Sequence, residues 1–137
     1  DANTISRKLE EHYVVLQGSI RQTIIGVSLG QLAVLAQQFD TALSDVRTLV
    51  TTSHGTVSPK RQATIDRWLL QIQNVRSIYQ QKIDSIAIKS SQLKGGTIDS
   101  LDYLFGELKQ ELGQAKQYLA EGNGFIGELI EAIRYHE

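Results

Sequence analysis

Residues 58–96 read SPKRQATIDRWLLQIQNVRSIYQQKIDSIAIKSSQLKGG, and their hydrophobic spacing decides the fold class. Large apolar side chains recur at Ile65, Ile72, Tyr79, Ile86 and Leu93, one every seven residues, backed by Trp68, Leu69, Val75 and Ile83. Positions seven apart share one face of an α-helix, whereas a strand needs alternation with period two. Ser58 supplies an N-cap oxygen, and Pro59 suits the first helical position, where its missing N–H is not needed. At the far end, Lys94-Gly95-Gly96 places a base in the last turn and glycines where a left-handed cap is wanted. The stretch reads as one long amphipathic helix with marked ends.

The same period extends downstream. Thr97 is placed to cap another helix, with Asp99 and Asp102 in its first turn, where the helix dipole favours acids. Its seam runs through Ile98, Leu101, Phe105, Leu108, Leu112, Ala115 and Leu119 in steps of three and four. Phe125, Leu129 and Ile133 continue it beyond Gly122-Asn123-Gly124, which reads as either a kink or a turn.

Upstream, a segment from about Thr4 to Thr52 carries apolar residues at Ile5, Leu9, Tyr13, Leu16, Ile20, Ile24 and Val27, again at helical period. Ile5, Leu16 and Val27 repeat every eleven residues, closer to a straight helix than to a left-handed supercoil. Leu35, Phe39, Leu43, Val46 and Val50 resume the pattern after Gly26-Val27-Ser28-Leu29-Gly30. Two glycines there each cost up to about 1 kcal/mol against alanine in a helix, so this is a kink or a break. The uncharged run Gln22–Phe39 contains four glutamines and two glycines and is expected to be a buried helix rather than a membrane span. No stretch alternates with period two for long, and short connections favour antiparallel neighbours. The expected fold is all-α: a single domain over residues 1–137, an antiparallel up-and-down bundle of long helices. Three helices suffice without internal breaks, and four if the first segment breaks near Gly30.

Composition supports that reading and narrows function. The chain of 137 residues is 41% hydrophobic and 21% charged, as a globular domain should be. Fourteen basic and fifteen acidic residues leave a net charge of −1, and the bases (Arg7, Lys8, Arg21, Arg47, Arg67, Arg76, Lys109, Lys116 among them) are scattered, which argues against nucleic acid. There is no cysteine, so disulfides, zinc–thiolate sites and thiol catalysis are excluded. His12, His54 and His136 show no metal-ligand spacing and read as solvated terminal and loop residues, so no cofactor is expected. No nucleophile elbow, P-loop or dinucleotide fingerprint occurs. Ser91-Gln92-Leu93-Lys94-Gly95 resembles the segment around the phosphorylated histidine of phosphotransfer bundles, but Ser91 stands where that family carries its histidine. No enzymatic activity is expected. Phe39, Trp68, Tyr79 and Phe105 lie on or beside seams and read as packing residues.

Two features point to function. From Ile20 to Leu35 the first helix is apolar on most sides, and such a helix needs covering by its own bundle and by a second subunit. A homodimer through Ile24, Ile25 and Leu32 is the expectation, the alternative being a central helix fully wrapped within one chain. Arg21 is the one charge between Glu11 and Asp40, so no acid of its own helix lies within salt-bridge reach. A guanidinium in that setting needs a counter-charge or a ligand, unless its stem packs and its head reaches solvent.

Gly18-Ser19-Ile20-Arg21-Gln22 resembles the short first-helix box of the nitrate-responsive bacterial sensor kinases. Ile25 and Gly26 stand where that family offers another base, and its methionine is missing. The resemblance implies an extracytoplasmic four-helix bundle with Arg21, assisted by Ser19 and Gln22, as binder of a small anion at a dimer interface. A chain that starts at Asp1 without methionine suits a piece cut from between two membrane spans. The expected function is therefore ligand sensing and signal transmission on the periplasmic side of the inner membrane, in a sensor kinase or chemoreceptor. The alternative is a non-enzymatic structural or protein-interaction bundle, such as a secreted adaptor or assembly subunit.

Overall fold

The computed structural model describes residues 1–53 and 57–134, and its regular structure is entirely helical: α1 (Ala2–Thr52), α2 (Pro59–Ser90) and α3 (Ile98–Arg134). His54 and His136 lie outside the described residues. Neither glycine-rich stretch ends a helix. α1 runs through Gly26 and Gly30, and α3 runs through Gly122 and Gly124.

Local chemistry explains the ends. The backbone N–H of Arg61 donates to Ser58 Oγ at 3.2 Å, so Ser58 is the N-cap of α2. Thr97 and Ser100 cap α3 reciprocally. The Ser100 N–H donates to Thr97 Oγ1, and the Thr97 N–H donates to Ser100 Oγ, both at 3.1 Å. The start of α1 is capped by the Asp1 carboxylate, which accepts from the Thr4 N–H at 2.9 Å. α2 stops at Ser90, four residues before the expected end at Lys94. Bonds from the N–H groups of Ser91, Gln92 and Leu93 to carbonyls three residues back tighten the chain there and keep Leu93 buried. Gly96 then takes φ +91°, a left-handed conformation that glycine adopts without strain.

The contacts fall into two compact units, each drawing on all three helices. One comprises Asp1–Gln31 with Lys82–Gln114, and the other comprises Leu32–Gln81 with Ala115–Glu137. In the first unit, Val14, Ile25, Ile86, Leu93, Leu101, Leu108 and Leu112 are buried. Gly18 is buried with them, so close to α2's terminal turn that a Cβ on it would stand 2.5 Å from the Leu93 carbonyl oxygen. In the second unit, Leu32, Phe39, Leu43, Val46, Ile65, Ile72, Tyr79, Leu119 and Leu129 form the core. Gly122 lies against the Phe39 ring there, and Trp68 packs on Phe125 with centroids 5.5 Å apart.

All five heptad positions of the quoted stretch are buried, and so are Leu101, Leu108, Leu112, Ala115 and Leu119 of the α3 seam. α1 behaves differently. Ile5, Leu9, Tyr13, Leu16, Ile20, Ile24 and Val27 are 44–65% exposed, and the residues turned inward are Val14, Gly18 and Ile25. At about 100° per residue, the two sets lie roughly 150° apart around the helix. The run Gln22–Phe39 is accordingly not the buried helix expected of it, because within it only Ile25, Leu32, Ala36 and Phe39 are buried.

One buried polar contact in the second unit gives a pH-dependent prediction. The Tyr79 hydroxyl donates to the Leu32 carbonyl at 3.1 Å, beside a forked Arg76–Asp40 ion pair at 2.8 and 3.0 Å. Burial pushes the phenol above its ordinary value of 10, and the nearby Arg76 partly offsets that. Folding thus favours the neutral phenol. Its contribution is complete below pH 10 and is lost as the pH climbs through the folded value. Tyr79→Phe should cost about 1 kcal/mol at neutral pH, and the gap to wild type should narrow above pH 10. Chemical denaturation of both proteins from pH 7 to 11 checks this, and a gap that stays constant overturns it.

Candidate functional site

The candidate site is built around Arg21, on the inward side of α1 in the first unit. Its position follows from Gly18 one turn earlier: without a side chain at 18, α1 comes close to the turn that follows α2, and Arg21 extends toward the first turns of α3. The side chain is 15% exposed. Its Nη2 donates to Asp102 Oδ1 at 2.6 Å, and Nη1 donates to the Gln17 carbonyl at 3.0 Å and to Gln17 Oε1 at 2.8 Å. The guanidinium carbon stands 5.8 Å from the Phe105 ring centroid, and Lys109 Nζ stands 4.7 Å from the same centroid. Each contact is an attraction between a cation and the negative face of the ring. The Nε–H of Arg21 is buried and has no partner among the described residues.

Arg21 thus finds its counter-charge within the chain. Asp102 is half-exposed, so the pair contributes about 1 kcal/mol, well below what a fully enclosed pair is worth on breaking. In the sequence Asp102 reads only as a dipole-compensating acid near the start of α3. Its partner lies 81 residues away, and no short spacing links the two. Phe105 and Lys109 were hidden for the same reason, whereas Gln17 stands one turn before Arg21, within the reach of local helical spacing.

The other residues expected at the site divide. Gln22 is half-buried, while Ser19 is exposed and its carbonyl accepts from Thr23 Oγ1 at 3.0 Å. Of the expected dimer-interface residues, Ile24 is 45% exposed and available, whereas Ile25 at 0% and Leu32 at 5% belong to the cores of their own units. Those two lie on the inward face of α1 and are already covered within the single chain.

A second charged feature lies in the same unit. A cleft of about 340 Å³ opens between the start of α1 and the turn before α3, bordered by Arg7, Glu10, Glu11, Val14, Thr97 and Asp99. Glu111 is flanked by Lys89 at 3.0 Å and Lys82 at 3.8 Å. Among the described residues no cluster of carboxylates and imidazoles is arranged to hold a metal ion.

No family model matches the chain, and comparisons with curated proteins and with solved structures give no match either.

Proposed function

We propose that this chain is a non-catalytic sensing and signal-transmitting domain of a bacterial transmembrane receptor. In this reading it is an antiparallel up-and-down three-helix bundle on the periplasmic side of the inner membrane, flanked by membrane spans. The observation that carries it is the Arg21 cluster, a cation tied to a half-exposed carboxylate on another helix and left with one N–H unpartnered. A small anion or a ligand carboxylate entering beside Arg21 would take up the Nε–H and compete with Asp102. Charge-assisted hydrogen bonds to the guanidinium would replace the α1–α3 tether. Loosening one helix against its neighbour is the kind of small shift that long helices pass along their length. α1 suits the task, because one unbroken helix supplies residues to both compact units. The exposed apolar face of α1 supports a second reading, a protein-interaction bundle whose function is docking rather than ligand sensing.

Thermal melting in nitrate, sulfate and acetate tests the sensor reading. A bound anion should raise Tm by mass action, by about 2.7 kcal/mol of stability at a hundred times Kd. The shift should vanish in Arg21→Ala, and it should appear at lower anion concentration in Asp102→Asn, where the competitor is neutral. If no anion stabilises the wild type, or Arg21→Ala shifts like wild type, Arg21 is a structural cation. Hydrophobic spans encoded on both sides of this segment in its gene would separate a receptor from an adaptor.

A further inference from the structure

We infer that the outward face of α1 between Ile5 and Val27 is the docking surface for a second copy of this chain. The face is predominantly apolar, with Leu9, Tyr13, Leu16, Ile20 and Ile24 between its ends and Ser6 and Thr23 at its two margins. Every one of the seven large side chains on it is at least 44% exposed, which is unusual for one continuous stripe. Scattered apolar residues on a surface need no explanation, but a row this long does.

Three properties favour a second copy as the occupant. The first is area. Side chains of this size exposed to this degree leave roughly 700 Å² open, close to the ~800 Å² that each partner contributes to a standard interface. The second is charge. The charged residues of this part of α1 (Arg7, Lys8, Glu10, Glu11 and Arg21) all lie off the stripe, so pairing the face with itself puts no like charges together. The third is geometry. The eleven-residue repeat Ile5, Leu16, Val27 makes about 3.67 residues per turn, so the stripe stays nearly parallel to the axis for about 33 Å. Two such helices can lie side by side without supercoiling far out of register.

A lipid surface fits less well. By length and composition α1 is apolar enough to cross a membrane. The elements packed with it in the same unit, however, carry exposed Asp84, Glu107 and Lys109, which a bilayer core would have to enclose. A helix lying flat on anionic lipid carries a basic polar face, and here Lys8 is the one base beside the stripe that is not turned toward the bundle.

This pairing rests on the α1 face alone and not on the receptor reading. Sedimentation equilibrium of the full chain is the test, comparing wild type with Leu16→Glu, Ile20→Glu and, as a control elsewhere on the surface, Leu70→Glu. Both stripe positions are exposed within one chain, so the variants should keep wild-type circular dichroism. Wild type should dimerise, each stripe variant should weaken the dimer by about a hundredfold or more, and Leu70→Glu should change little. A wild type that stays monomeric overturns the inference, as does a dimer indifferent to Leu16→Glu. Flotation with phosphatidylglycerol vesicles that requires Leu16, without dimerisation, overturns it in favour of lipid. Because the chain has no cysteine, single substitutions report orientation under oxidation. Cross-linking of both Leu16→Cys and Leu9→Cys means parallel pairing, which keeps two receptor copies on one membrane side. Cross-linking of Leu16→Cys alone means antiparallel pairing, which supports the docking face and overturns the receptor reading.

Discussion

Gly18→Ala is expected to destabilise the protein, although alanine is the better helix former. A Cβ at position 18 would meet the Leu93 carbonyl oxygen at 2.5 Å and its carbonyl carbon at 3.2 Å. Both are backbone atoms of the tightened turn that ends α2, and the Leu93 side chain is fully buried, so neither side of the contact has a rotamer with which to yield. Helix propensity returns up to about 1 kcal/mol. Overpacking against rigid atoms costs about 1–3 kcal/mol and occasionally more, so the net change is a loss. A net loss of about 1–2 kcal/mol should lower Tm by roughly 4–8 °C in a chain of this size. Gly26→Ala, on the same helix, is the internal comparison. No atom lies within 4 Å of a Cβ there, and the propensity gain should appear in full as a higher Tm. Opposite signs for two identical substitutions eight residues apart would be hard to produce any other way. If Gly18→Ala melts at or above wild type, α1 does not approach α2 as closely as the structure has it.

Gly18 also shows why part of this fold was legible in the sequence and part was not. Periodicity reports that a helix has an apolar face, and for α2 and α3 there is one such face, so Ile65 through Leu93 and Leu101 through Leu119 fall where the pattern places them. α1 has two. The outward one is built of isoleucine, leucine and tyrosine, while the inward one near its start offers Val14, Gly18, Arg21 and Ile25. Hydrophobicity alone ranks the outward stripe higher. What turns the other face inward is shape: glycine admits a neighbouring backbone, and arginine reaches an acid across the bundle. Neither effect has a hydropathy signature. Arg21 itself was readable as a charge in need of a partner. Asp102 was not, because the pairing depends on how α1 and α3 pack and not on any local spacing. The heptad of α2, in contrast, needs no tertiary knowledge at all.

In the second unit the same device recurs with a side chain in place of a backbone, and a double-mutant cycle can isolate it. Phe39 is 2% exposed, and a Cβ on Gly122 would stand 2.5 Å from its Cε2 and 2.8 Å from its Cζ. The glycine makes room for the ring, and the ring fills the room. Gly122→Ala alone should therefore cost about 1–3 kcal/mol, since the buried ring must shift to admit the methyl. Phe39→Ala alone should cost about 3–5 kcal/mol, from lost transfer free energy and from the cavity left behind. The two losses should not add. Once the ring is gone, the methyl at 122 enters vacated space, regains helix propensity and covers part of the cavity wall. In the Phe39→Ala background, Gly122→Ala should be neutral or mildly stabilising. The interaction energy should then be about 1–3 kcal/mol and favourable, within the range seen for residues in direct contact. Urea denaturation of the four proteins measures it. A cycle that closes with no coupling would mean that the ring does not occupy the space above Gly122, and that Gly122-Asn123-Gly124 interrupts the α3 pattern for some reason other than admitting Phe39.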